Sequence, residues 1–369
     1  MEFGWSPEQL EIHTRMRALG AEADAAAPDA RMAILAQGGA LGLSLPEEYG
    51  GAGLDLVTTA FAYEGLGASL GDGGVLLAAG AHLFGVALTI TRTGTPAQRH
   101  AWLPRLATGE AMATVAATEA GSGSDVASME STAEPTPDGL RITGEKRYVT
   151  WADRADVYLT LARNGSAGRG LTALLVPRAT PGVLVEAPLQ TAGLRGARLA
   201  PVSFAGCEVP PDAILGRAGA GGPVFQVAMT FERALVLAFR LGALDRALGD
   251  AVTVARDRDA SGAPLARHQA VAHRIARMKL RLETSRLLIY RAAWALDQGH
   301  RAQAEAALAK WHVAESAIES ALDALRLHGG AGFLEESGLP AAVDDALGGS
   351  IHSGTSDVLA TVVARWLGV

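Results

Sequence analysis

The hydrophobic period of this 369-residue chain changes twice, and that change narrows the architectures open to it. From Ser6 to about Glu110 apolar residues recur at helical spacing in an Ala/Leu-rich stretch, broken at LPEEYGGAGLD (Leu45 to Asp55) and GASLGDGG (Gly67 to Gly74). From about Ala111 to Gly222 short β-branched runs take over: ATVAAT, LRITG, RYVTW, VYLTLA, LTALLVP and VLVEAP, separated by Gly, Pro and Asp turns. Beyond Pro223 long helical patterns return, with Val271, Ile275, Met278 and Leu282 in one and Trp311, Ile318, Leu322 and Leu325 in another. A doubly wound nucleotide-binding sheet needs alternating strands and helices, and that order is absent. The expected fold is α+β and mostly α. It has an N-terminal helical domain (1–110), a middle β-barrel domain (111–222) and a C-terminal four-helix bundle (223–369).

Local signals sharpen this outline. Ser6, Pro7 and Gln9 predict a capped helix start in the opening MEFGWSPEQLEI. Thr95-Pro96 begins another helix, which Leu103-Pro104 is expected to interrupt, and RNGSAGRG (Arg163 to Gly170) reads as a hairpin loop. A net charge of −7 without a basic stripe argues against nucleic acid or anionic membranes as partners. Lone Cys207 excludes a disulfide framework, and the histidines show no HExxH or i,i+4 pair, so no metal site is expected. No signal peptide is evident and apolar runs are expected to be too interrupted to span a membrane, which makes the chain cytoplasmic in this reading.

One residue resists this pattern. MTFERALVLAFR (Met229 to Arg240) is apolar on nearly every side, yet carries Glu232. A helix apolar all round is buried, and a buried carboxylate needs a partner, a proton or a task. Elsewhere, TEAGSGSD (Thr118 to Asp125) offers closely spaced backbone N–H groups and hydroxyls that suit a phosphate or a ring edge; an ordinary hairpin turn fits it equally.

Six stretches taken together resemble the acyl-CoA dehydrogenase family in order and spacing. They are LPEEYGGAGL, TEAGSGSD, EKRYVT (Glu145 to Thr150), ARDRDASGAPLARHQAVAHRIARM (Ala255 to Met278), LHGGAGFLEE (Leu327 to Glu336) and SGTSDV (Ser353 to Val358), and the resemblance extends over essentially the whole chain. The resemblance implies FAD, a homodimer or homotetramer, and α,β-dehydrogenation of an acyl thioester. It places Thr118 at the flavin ring, Ser124 at the pyrophosphate, Tyr148 where a Trp usually packs on the ring, and Thr150 near N5. Arg258 and Gln269 match residues that hold the FAD of a neighbouring subunit, Gly329 and Gly330 allow close backbone approach, and Thr355 touches the cofactor at a helix start.

In most of the family the α-proton base is a Glu directly before the Gly-Thr-Ser of the last loop. Here that position is Ser353. A minority, including isovaleryl-CoA dehydrogenase-type members, carries the Glu before an Arg on the first bundle helix, and Glu232-Arg233 stand at the matching distance. Glu232 is therefore the expected base, with Arg233 and Ser353 on the substrate side; a structural Glu232, in the first turns of its helix where the macrodipole favours it and paired with an Arg from another helix, is the alternative. Ser261 for Phe, Arg326 for Gln, Asp344 for Arg, Trp151 for Asn, and GLRGARLAP (Gly193 to Pro201) without the usual Ser/Thr pair also depart from the family pattern. These departures point to a specialised acyl or aminoacyl group on coenzyme A or a carrier protein, in a biosynthetic pathway. Electrons would pass to an external acceptor; a flavin oxidase or oxygenase using oxygen, and a flavin-free binding protein, are the competing readings.

Overall fold

The structure is a computed structural model that describes residues 4–165 and 170–369. Met1 to Phe3 of the opening segment, and residues 166–169 of the expected RNGSAGRG loop, lie outside the described residues. Six helices come first: α1 (Pro7–Ala25), α2 (Arg31–Gln37), α3 (Leu56–Ser69), α4 (Gly73–Gly80), α5 (Leu88–Thr93) and α6 (Pro96–Thr108). Ser6 caps α1 and completes a capping box with Gln9, satisfying N–H groups that the first turn leaves open. Pro104 does not interrupt α6, which continues through it to Thr108. Nor does GASLGDGG form one loop, because α3 runs to Ser69 and Asp72 caps α4.

The helices α4 and α5 are joined by a π-helical turn at Ala81–Ala87. The combined helix Gly73–Thr93 is long and apolar enough to cross a membrane, with a window of mean hydropathy 1.8, contrary to the expectation that no run reaches that length. That window is wholly buried inside the protein, so this helix is the central element of the N-terminal layer.

The middle section holds β1 (Ala113–Ala116), β2 (Thr132–Thr136), β3 (Gly139–Val149), β4 (Val157–Asn164), β5 (Leu171–Pro177), β6 (Val183–Val185), β7 (Ala200–Val209) and β8 (Ile214–Leu215). They form one eight-stranded sheet in the order β6-β7-β3-β2-β4-β5-β8, with β1 paired to β4 off this path. The expected barrel is thus wrong: among the described residues no pairing joins β6 to β8, and the sheet stays open. The reason lies at β4. One of its edges takes β5, and the other is divided between β1 at Val157–Thr160 and β2 at Arg163 and Asn164. The path then runs out in a three-residue strand at one end and a two-residue strand at the other, too short to pair across the gap. Alternating apolar runs specify which faces are buried, but not whether the end strands meet.

The last section contains α7 (Gly221–Leu235), α8 (Ala238–Asp257), the small hairpin of β9 (Asp259–Ala260) and β10 (Ala263–Pro264), α9 (Gln269–Asp297), α10 (Gln303–His328), α11 (Leu339–Gly349) and α12 (Ser356–Leu367). The hairpin explains Ser261: both Ser261 and Gly262 sit at positive φ, as a two-residue connection of this hand requires. A main apolar core joins the N-terminal helices to α7, α8, α9 and α10, while a second core fills the sheet. Close approach of α3 and α8 depends on Gly67, where a Cβ would stand 1.8 Å from the carbonyl oxygen of Phe239.

Candidate active site

Glu232 lies in the last turn of α7 and is buried. A carboxylate there meets the negative end of the helix, so the helix dipole does not stabilise it. No arginine pairs with it either; among the described residues its one bonded partner is Ser353, whose Oγ donates to Oε1 at 2.5 Å. Its second oxygen, Oε2, is buried without any hydrogen bond. That oxygen faces the π turn, where a Cβ on Gly85 would come within 2.9 Å of it and within 3.1 Å of Val115 Cγ2. The extra residue of the π turn and the absence of a side chain at Gly85 together leave this oxygen its space. Burial raises the carboxyl above its ordinary range, opposed by the Ser353 hydrogen bond and by the charges of Arg233 and Lys310.

The turn that carries Ser353 is held from below. Ser353 has φ 56, an uncommon conformation for a side-chain-bearing residue. Arg233 Nε donates to the Ser353 carbonyl at 2.9 Å, and Lys310 Nζ to that of Gly354 at 2.6 Å. Thr355 caps α12 by accepting from the Val358 N–H. His352 Nδ1 stands 3.0 Å from Ser353 Oγ. Lys310 is fully buried, and desolvation, helped by Arg233, pushes its ammonium down to about 7. Desolvation also drives His352 well below its usual value, with Lys310 and Arg240 adding to the effect.

The expected flavin residues fall in two groups. Thr118, Ser124, Tyr148 and Thr150 lie on or beside β1 and β3, and the Arg147 N–H donates to the Thr118 carbonyl at 2.8 Å. Tyr148 is 56% exposed at φ 56, a backbone conformation unusual for a residue with a large ring. The second group lies where α8 ends, α9 begins and α10 ends. Arg258 Nη1 donates to the His328 carbonyl at 2.9 Å beside Gly329, and Gly330 and Gln269 are exposed. No hydrogen bond or ion pair joins the two groups among the described residues.

The first group fits a flavin nucleotide. The hydroxyls of Thr118, Ser124 and Thr150, and the N–H groups of Gly121, Gly123 and Ser124, have no partner among the described residues, and a Cβ at Gly121 or Gly123 would touch nothing. An open row of donors suits a pyrophosphate, and an exposed aromatic side chain suits a flat ring. Beneath the loop Glu119, buried, accepts from Lys146 Nζ at 2.6 Å, Ser131 Oγ at 2.5 Å and the Glu130 N–H at 2.5 Å. Burial works to raise Glu119, but these bonds outweigh it and keep the carboxyl low.

GLRGARLAP is not free to contact a thioester along its length. The Leu194 N–H donates to Asp345 Oδ1 at 2.5 Å, and the backbone of Gly193 packs against Asp344. Four residues of this neighbourhood escaped the sequence reading: Gly85, Lys310, His352 and Arg240. Lys310 left one visible signal, a lone cation within the apolar run AALAKWHVA; Gly85 left none, since glycine in an Ala/Leu-rich helix is unremarkable in sequence.

Comparison with known proteins adds the following. The acyl-CoA dehydrogenase N-terminal, middle and C-terminal domain descriptions match residues 10–110, 114–207 and 219–368. An L-prolyl-[peptidyl-carrier protein] dehydrogenase of Pseudomonas fluorescens is 41% identical over 338 residues, 91% of this chain and 89% of that protein. A crystal structure of an FAD-dependent dehydrogenase superposes with TM-score 0.96 at 37% identity, covering 100% of both chains. The structure of PigA with FAD and proline gives TM-score 0.95 at 31% identity, over 100% of this chain and 99% of that one.

Proposed function

The chain belongs to the acyl-CoA dehydrogenase family and is an FAD-dependent oxidoreductase acting on acyl thioesters, and we propose that its substrate is a prolyl group carried as a thioester on a carrier protein. Support for the substrate comes from the prolyl-carrier dehydrogenase and the proline-bound relative described above. The observation that carries the chemistry is the buried, half-bonded carboxylate of Glu232.

In this reading Glu232 is the base, reaching the substrate from α7 as in the isovaleryl-CoA dehydrogenase-type minority. The α-hydrogen of an acyl thioester is weakly acidic, so its removal needs a base at hydrogen-bond distance in a dry site. Glu232 Oε2 takes that hydrogen as a proton, and the β-hydrogen leaves with its electron pair, which creates the Cα–Cβ double bond. Bound FAD supplies the acceptor for that hydride. Burial lifts the Glu232 carboxyl toward the range of a useful base. Thr118, Ser124, Tyr148 and Thr150 would hold the flavin and its pyrophosphate. Arg258, Gln269, Gly329 and Gly330 would serve the FAD of a second copy of the chain.

The test follows the flavin band anaerobically as thioesters are added. A prolyl thioester on a carrier protein should bleach the band. Glu232→Gln should keep FAD and lose about a thousandfold in reduction rate, within the usual worth of a positioned base. Wild-type reduction by Glu232→Gln would reject the base, and bleaching by acyl-CoA alone would reject the carrier. Rapid reoxidation in air would mark an oxidase in place of a dehydrogenase.

A further inference from the structure

The two oxygens of Glu232 are held differently. Oε1 accepts from Ser353 Oγ at 2.5 Å, and Ser353 Oγ lies 3.0 Å from His352 Nδ1. Oε2 is buried, has no partner and points to the gap at Gly85. We propose that Ser353 is a positioning residue: its hydroxyl, oriented by His352, occupies Oε1 and leaves Oε2 as the oxygen that takes the α-proton. This rests on Glu232 being the base.

Hydrogen counting supports the arrangement. Ser353 has a single hydroxyl proton, and toward an ionised carboxylate it must be given to Oε1. The imidazole then faces the remaining lone pairs of Oγ, so Nδ1 carries its hydrogen and donates. His352 thereby sets the direction of the hydroxyl, and the hydroxyl sets the rotation of the carboxylate about its last bond. The turn is anchored for this purpose. Arg233 and Lys310 grip the carbonyls of Ser353 and Gly354, and holding Ser353 at φ 56 directs its side chain at α7.

The charged surroundings of Glu232 determine the sign of the test. Arg233 faces it from its own helix and Lys310 from α10, with Glu315 beyond Lys310. His352 approaches from the turn and itself faces Arg240 of α8. The π turn brings Gly85, and its His82 is engaged by the Leu106 carbonyl and the Ala113 N–H. Ser353 therefore contributes a hydrogen bond to the ionised form of Glu232, and its loss raises the carboxyl further.

Ser353→Gly removes the hydroxyl while easing the positive φ, so the variant should fold and hold FAD. Its flavin reduction at neutral pH should fall roughly tenfold to a hundredfold, as expected for one hydrogen bond to a charged group. The acidic limb of its pH–rate profile should move upward, with the thioester KM unchanged. His352→Asn keeps a donor near the place of Nδ1 and should leave the limb in its wild-type position, whereas His352→Ala should shift it toward that of Ser353→Gly. A wild-type rate and limb in Ser353→Gly, with Glu232→Gln inactive, overturns the positioning role and leaves the base standing. A raised KM with an unmoved limb also overturns it, making Ser353 a substrate contact. Wild-type reduction in Glu232→Gln removes the base, and this inference with it.

Discussion

Gly85 and Glu232 are 147 positions apart in a chain of 369, yet one is shaped by the other. A methyl group on Gly85 would press against Glu232 Oε2 and Val115 Cγ2, atoms at the ends of side chains that can yield by a few tenths of an ångström. Gly85→Ala should consequently cost little stability, since alanine's better helix propensity, about 1 kcal/mol, works against the strain. The rate of flavin reduction should fall at least about tenfold, because the proposed base, displaced by a fraction of an ångström, would lose its alignment with the α-proton. Stopped-flow reduction beside a thermal melt separates the two effects, and a wild-type rate would show that Oε2 does not face the reacting atoms.

Among the elements, α10 carries the least comfortable group. Lys310 is buried in an apolar stretch of the helix, and its ammonium is pushed from the usual 10.5 to about 7. The folded value is the lower one, so over that interval the unfolded chain binds more protons. Stability should be fullest above the unfolded value and should be lost as pH falls through about 7. Lys310→Met should flatten this slope relative to wild type, by at most about 1.4 kcal/mol per pH unit. Urea midpoints of both proteins across that interval test it; parallel slopes would mean that Lys310 stays charged. The same helix shows why a buried cation is kept: its Nζ supplies a donor to the Gly354 carbonyl, and the turn that presents Ser353 hangs from that bond.

At the scale of the molecule, polar ties add to the shared apolar core in fastening the N-terminal helices to the bundle: Asp297 of α9 accepts from the Leu56 and Val57 N–H groups of α3, and Glu64 makes a second tie. Buried Glu64 of α3 accepts from Arg286 Nε and Nη2 of α9 at 3.0 and 2.7 Å on one oxygen, and from the Tyr290 hydroxyl on the other. Trp5 stacks on Phe61 at 3.9 Å between ring centroids and meets Tyr290 edge-on, closing the same seam. Arg286→Ala should cost about 3 kcal/mol, measured by urea unfolding, because it strands a buried charge. A loss no larger than that of an exposed ion pair would mean that water replaces the arginine. These ties bear on what could be read in advance. The capped start of α1 and the helix–strand–helix order were legible, because caps and hydrophobic period are local properties of neighbouring residues. Glu232 was conspicuous for the same reason, as a charge inside an apolar helix. Closure of the sheet was not legible, since it depends on how β1 and β2 divide one edge of β4. The continuity of α6 through Pro104 and the burial of Gly73–Thr93 were decided by neighbours that local propensity does not see. Sequence alone therefore determined the order of helical, strand and helical zones, and which carboxylate stands out in an apolar helix, but not every element boundary. Only the tertiary structure decided that Ser353 would bind one oxygen of that carboxylate and Gly85 would leave room for the other, because both contacts join residues more than a hundred positions apart.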